Sequence, residues 1–325
     1  MRYQLRLING KPTPCLRVGQ DVFNLFELIK RLEVDERIIA SDTEVYSTNV
    51  FHQEGLWNSL KHINASLELA LKGDLFSNVS DILVQKSIPY FPPIPCPPLI
   101  FGLAGNCPQT WRSKGVMIQN YPVGYVRPWT SLVGHNERVI LPKYTTSFRC
   151  AVELGVIIEK PARNVHRKEA LDYIAGFTIV NDMIGNNWNE YAYKMNPQGS
   201  PTFYELLITS YYGRGSDGFA PIGPYIVSKD EINNLYDLMM FTYIGDKLVD
   251  RSYTNAMIVG VENAIEYLSG YMTLLPGSVI HMGTMGRDGW TIPADIRLGN
   301  DTCVALEIEK IGTLKTYFDD RRGSC

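Results

Sequence analysis

At 325 residues the chain is long enough to bury a large core, either as one large domain or as two smaller ones. It is 45% hydrophobic and 20% charged with a net charge of −3, a balance that argues against a nucleic-acid surface. No stretch approaches the roughly 18 apolar residues of a membrane span, and MRYQLRLING lacks a signal-peptide core, so the expectation is a cytoplasmic protein with no membrane or nucleic-acid partner.

From the start of the chain, Tyr3 to Ile8 and Pro14 to Val18 are extended runs separated by Asn9-Gly10, the strongest short hairpin signal in sequence. Asp21 is placed to cap a helix over 22–32, where Phe23, Leu25, Phe26 and Ile29 form an apolar stripe. Leu56, Leu60, Ile63, Leu67 and Leu71 mark a second helix over 54–75. The stretch PYFPPIPCPP, residues 89–98, is stiff and extended and excludes both helix and central strand. It predicts a boundary between a smaller α+β N-terminal domain, 1–95, and a catalytic domain, 96–325.

Beyond the prolines, 99–103 reads as a strand entering a polar loop over 104–115, with short proline-broken strands at 121–128 and 139–142. The apolar run Cys150 to Ile158 carries one carboxylate, Glu153; a short helical pattern over 168–174 follows, then a second run, Gly176 to Asp182. A carboxylate inside a strand needs a partner or a metal if it is buried, so Glu153 and Asp182 on successive strands suggest a cation site or an acid/base pair; Glu153 on a half-exposed strand would be the alternative. Residues 186–218 read as a long loop. A strand at 222–227, a hairpin over 241–249 turning at Gly245-Asp246, a helix over 261–272 and strands at 276–284, 301–308 and 313–317 complete a strand-dominated α+β chain. Six scattered cysteines (Cys15, Cys96, Cys107, Cys150, Cys303, Cys325) contain no CxxC pair and read as reduced thiols.

In order and spacing, Pro128-Trp-Thr-Ser-Leu-Val-Gly134, the strand with Glu153, the strand ending Asn181-Asp182, Phe219-Ala-Pro-Ile-Gly-Pro224, Tyr267 to Gly277 and Gly283-Thr284 resemble the fumarylacetoacetate hydrolase family. The resemblance runs from about Pro98 to Phe318 and implies a mixed, mainly antiparallel β-roll, usually a homodimer. It implies an enzyme that cleaves, hydrates, decarboxylates or isomerises small 1,3-dicarbonyl and 2-oxo acids, with a divalent cation, usually magnesium, stabilising the enolate or oxyanion.

Residue by residue the resemblance is incomplete. Glu153 and Asp182 stand at two of the family's three metal-ligand positions, while the third holds Ala151, which implies weak magnesium binding or none. The family's lysine falls on Arg214, which keeps the charge but suits carboxylate binding rather than proton transfer. Its glutamine falls near Asn189, and the histidine that activates water in hydrolytic members falls on Thr110, which cannot act as a base near neutral pH. Tyr125 is similar to a tyrosine that donates a hydrogen bond in the pocket; Gly283 and Thr284 match a Gly-Thr that contacts substrate, although the residues after them, Met285 to Gly289, differ from the family's Pro-x-Gly-Val-Gly. Arg112 and Lys114 in the loop over 104–115 are candidates to meet an acidic substrate. His281 beside Gly283, or Glu190, could serve as a relocated base, while His135 reads as a surface residue and His52, His62 and His166 as structural or exposed. The leading expectation is non-hydrolytic chemistry on an enolisable small molecule, of isomerase, lyase or cyclase type. A C–C hydrolase or decarboxylase with a relocated base, and an inactive binding protein, are the alternatives.

Overall fold

The computed structural model describes residues 1–31, 80–108, 120–142, 148–185, 212–285, 298–300 and 302–320. Strands β1 (Arg2–Ile8) and β2 (Lys11–Val18) form the predicted hairpin, with Asn9 and Gly10 at φ of 52° and 74°, the left-handed pair that a tight two-residue turn requires. The expected helix over 22–32 begins later. Val22 and Phe23 belong to a strand, β3 (Asp21–Asn24), paired with Arg17 and Leu16 of β2, and helix α1 spans Leu25–Arg31. Asn24, not Asp21, caps it: its Oδ1 accepts hydrogen bonds from the backbone N–H groups of Phe26 (3.1 Å) and Glu27 (3.3 Å). Pairing with β2 overrode the helical stripe because a β-branched and an aromatic residue suit a sheet edge equally well. The helix predicted over 54–75 lies outside the described residues, as does 186–211 of the predicted loop.

Within the proline run, β4 (Tyr90–Phe91) pairs with β1. The short strands β5 (Ile100–Leu103), β6 (Gly124–Val126), β7 (Leu132–Val133), β8 (Arg138–Ile140) and β9 (Phe148–Arg149) precede the long β10 (Val152–Ile158) and β11 (Ile174–Asn181). The helical pattern between the last two is a single 3-10 turn, Ala170–Tyr173. Then come β12 (Ile184–Gly185), β13 (Ala220–Ser228), the hairpin β14 (Met239–Ile244) and β15 (Lys247–Tyr253), helix α2 (Val261–Tyr271), and strands β16 (Val279–His281), β17 (Cys303–Ile308) and β18 (Gly312–Asp319).

The main sheet runs β3-β2-β1-β13-β11-β10-β16-β5-β6, with β4 on β1 and β7 on β13; a second sheet runs β15-β14-β17-β18-β8. Pairing is mostly antiparallel, with parallel contacts only at β13–β7, β16–β5 and β18–β8 among the described strands. This is the mixed, mainly antiparallel β-roll expected, and the residues before the proline run add three strands to its main sheet. Strands β10, β11 and β13 are buried on both faces, which is why they read as near-continuous apolar runs. Val152, Leu154, Val156 and Ile158 face the core shared with Val304, Leu306 and Ile308 of the second sheet. Ile157, Val180 and Val279 face a different core, with Leu5, Leu16 and α1. Glu153, Asp182 and His281 keep the parity of that second face, since strand side chains alternate.

Candidate active site

Register builds the centre of the site. His281 pairs with Gly155 of β10 on one side and with Gly102 of β5 on the other, and Gly102 pairs in turn with Tyr125 of β6. The imidazole therefore sits in a row flanked by two residues without side chains. A Cβ at Gly102 would overlap Cε1 and Nε2 of His281 and lie 2.7 Å from Cζ of Tyr125. Gly102→Ala is accordingly expected to cost about 1–3 kcal/mol through overpacking and to push the ring off its partner. Thermal unfolding and kcat measured together check this, and an unchanged kcat would show that the ring does not need this space.

His281 is fully buried, and its Nδ1 is hydrogen-bonded to Oε2 of Glu153. Glu153 also accepts from the backbone N–H of Gly283 on Oε2 (3.1 Å) and from the hydroxyl of Thr284 on Oε1 (2.9 Å). Gly283 presents that N–H at φ of 82°, and a Cβ there would press to 2.9 Å on Leu103 O and Asn106 Cβ. Asn106 fixes the segment, donating to the carbonyls of Val259 (2.9 Å) and Met282 (2.8 Å). Nε2 of His281 is buried with no hydrogen-bond partner among the described residues. Burial, and next the negative charge of Asp182, push the Glu153 carboxyl above its usual range, against the opposing effects of His281 and Thr284.

Asp182 follows β11 and is also buried. Its Oδ1 accepts from the Tyr125 hydroxyl (2.8 Å) and from Arg127 Nη2, and its Oδ2 from Arg214 Nε (3.4 Å). Arg127 is anchored further: Nη1 donates to the carbonyls of Arg214 (2.6 Å) and Phe219 (3.0 Å), and Nη2 to that of Met183 (3.2 Å). The Arg214 guanidinium lies 4.3 Å over the Tyr125 ring, and that ring meets His281 edge-on at 5.8 Å. Burial alone would raise the Asp182 pKa, but the charges of Arg214 and then Arg127 outweigh it and hold the group at about 2. Burial raises the Tyr125 pKa, so it stays a neutral phenol and a hydrogen-bond donor.

A folded-state pKa near 2 against an ordinary 3.8 means that Asp182 stabilises the fold above pH 3.8 and loses that contribution as pH falls toward 2. Urea unfolding midpoints should therefore drop between pH 4 and 2 in the native protein, and this step should be missing in Asp182→Asn.

The structure brings Glu153, Asp182, His281, Tyr125, Arg214, Gly283 and Thr284 together. Thr110, Arg112, Lys114, Asn189 and Glu190 lie outside the described residues. Tyr125 spends its hydroxyl on Asp182, and Thr284 spends its own on Glu153. His135 is half-buried; its Nδ1 accepts from the Lys315 N–H at 3.0 Å, and burial lowers its pKa to about 4. Sequence reasoning missed Arg127; its signal was a lone charge in the extended run Gly124 to Pro128. A separate cleft of about 1080 Å³, lined by Trp129, Glu137, Arg138 and Asp217 among others, includes none of the buried charged groups of the site.

Glu153, Asp182 and His281 each offer one ligand atom within 4.8 Å of the others, the spacing of a metal-binding triad. In donor number and spacing the set suits a divalent cation. In charge it does not. All four carboxylate oxygens already accept hydrogen bonds, and two guanidinium groups already face Asp182.

Residues 103–318 match the model of the fumarylacetoacetate (FAA) hydrolase C-terminal family, and the chain belongs to that family, whose members are enzymes. It is 32% identical over 206 residues to a 2,4-didehydro-3-deoxy-L-rhamnonate hydrolase of Sphingomonas sp. strain SKA58, covering 63% of this chain and 67% of that one. A mitochondrial oxaloacetate tautomerase of Homo sapiens is 25% identical over 233 residues, 72% of this chain and 70% of its own. Among solved structures, the maleylpyruvate hydrolase of Sphingobium sp. SYK-6, in complex with manganese(II) and pyruvate, shares the fold over 98% of this chain and 99% of its own, with a TM-score of 0.69 and 18% identity. The 2-hydroxyhepta-2,4-diene-1,7-dioate isomerase of Mycobacterium marinum covers 75% of this chain and 83% of its own, with a TM-score of 0.58 and 25% identity. The relatives thus include hydrolases, an isomerase and a tautomerase.

Proposed function

We propose that this chain acts on an enolisable small acid, of 2-oxo or 1,3-dicarbonyl type, by non-hydrolytic proton transfer through an enolate. The observation that carries this reading is the buried Glu153–His281 pair, whose outer nitrogen has no partner among the described residues. With the imidazole proton on Nδ1 and donated to Glu153, Nε2 is the basic nitrogen. It takes a proton from the carbon beside the carbonyl. The C–H electron pair moves to the carbonyl oxygen as an enolate, and the same nitrogen returns the proton to a different carbon or to the oxygen. Glu153 fixes the tautomer and steadies the imidazolium that forms. Arg214, held in place by Asp182 and lying over the Tyr125 ring that meets His281, supplies positive potential to the enolate oxygen. A cytoplasmic homodimer is part of this proposal.

The same dyad favours a second reading, in which Nε2 activates water and the chain is a C–C hydrolase or decarboxylase whose base has moved from the position of Thr110. Incubating the protein with a panel of 2-oxo and 1,3-dicarbonyl acids in D2O, followed by proton NMR and mass spectrometry, separates the two. Deuterium entering at the carbon beside the carbonyl, or an isomer of unchanged skeleton, is the expected result. Two carbonyl fragments or released CO2 would establish the second reading. Neither exchange nor cleavage with any panel member would refute both and leave a binding protein.

A further inference from the structure

We infer that the paired guanidinium groups of Arg127 and Arg214 take the place of a divalent cation at Asp182, so that this centre works without a bound metal ion. Two unit positive charges converge on one carboxylate, Arg127 on Oδ1 and Arg214 on Oδ2. Together they supply the charge of a divalent ion in the place where such an ion would bind Asp182. Neither arginine is a surface side chain that could swing aside: Arg127 is 2% exposed and Arg214 5% exposed. Arg127 is also tied to the carbonyls of Arg214, Phe219 and Met183, so one side chain fixes both the residue that follows Asp182 and the backbone of the second arginine.

The rest of the centre agrees. Two residues before Glu153, the position from which a second carboxylate could share its face holds Ala151, whose methyl group offers no ligand. Both oxygens of Glu153 are committed to Gly283, Thr284 and His281. Counted together, two arginines balance Asp182 and Glu153. A divalent ion would leave two uncompensated positive charges among buried groups, and like charges brought together where solvent screens them poorly are strongly disfavoured. The imidazole, the remaining ligand candidate among the described residues, is held by Glu153 through Nδ1.

This inference rests on the enolate reading only for the chemistry that the arginines serve, and the two can fail separately. The test is calorimetric titration of MnCl2 and MgCl2 into chelator-treated protein, with the electron paramagnetic resonance signal of free Mn2+ as a second readout. The native protein is expected to show no saturable binding at micromolar to low-millimolar metal. Ala151→Glu/Arg214→Gln, which supplies a carboxylate and removes a charge, is expected to bind Mn2+ at least tenfold more tightly than native and to gain thermal stability on adding it. Stoichiometric micromolar Mn2+ binding by the native protein would overturn the inference whether or not the double variant folds. Deuterium exchange that persists in chelator supports it, and exchange that requires added metal overturns it. Exchange absent with and without metal, beside a flat titration, would remove the enolate reading while still supporting the charge substitution.

Discussion

His281→Gln is expected to lower kcat by about 10²- to 10⁴-fold, the usual weight of a positioned general base, while KM changes by no more than a few-fold. Glutamine approximates the length of the imidazole and can still hydrogen-bond to Glu153, so the row between Gly155 and Gly102 stays filled and a loss of rate reports proton transfer rather than collapse. Glu153→Gln should give a smaller loss, because it removes the charge that orients and stabilises the imidazolium without removing the base. The measurement is the rate of deuterium exchange into the best substrate of the panel, at saturating and subsaturating concentrations. If His281→Gln keeps native kcat, the base lies elsewhere.

Asp182→Asn should destabilise the fold by about 3–5 kcal/mol, because it leaves two buried guanidinium groups facing a neutral amide. The Tyr125 hydroxyl loses its charged acceptor in the same step. Urea unfolding gives the number, and a double-mutant cycle with Arg214→Met apportions it: the double variant should be more stable than the sum of the two single losses predicts, since one unpaired charge leaves with the methionine. A loss below about 1 kcal/mol in Asp182→Asn would mean that the arginines find other counter-charges.

Much of the fold was legible because its strands are extreme cases. β10 and β11 are covered on both faces, so they read as unbroken apolar runs, and Glu153 stood out as the one carboxylate in the first. The Asn9-Gly10 turn was legible because few residue pairs tolerate two positive φ values. Val22 and Phe23 were misassigned because a four-residue strand leading into a seven-residue helix offers too little pattern to separate the two periods. The carboxylates of the site were legible and their partners were not. Glu153 and His281 are 128 residues apart and meet only because β16 pairs with β10 in one register; a slip of one residue would send the imidazole to the opposite face. Arg127 was passed over because arginines are mostly exposed, and only the packing of β6 against the Arg214 turn makes this one internal.

Strand β1 lies between β2 and β13, and the segment that matches the family model, 103–318, contains β13 but not β1. Excising that segment would strip β13 of its neighbour at Val227 and Ile226 and uncover the apolar surface now sealed by the buried Tyr3 and Leu5. The result would be an adhesive flank, able to recruit another chain in place of its own missing strand. Inheritance and autonomy therefore follow different boundaries here. The part that carries the ancestry of the chain leans on a hairpin that lies outside it.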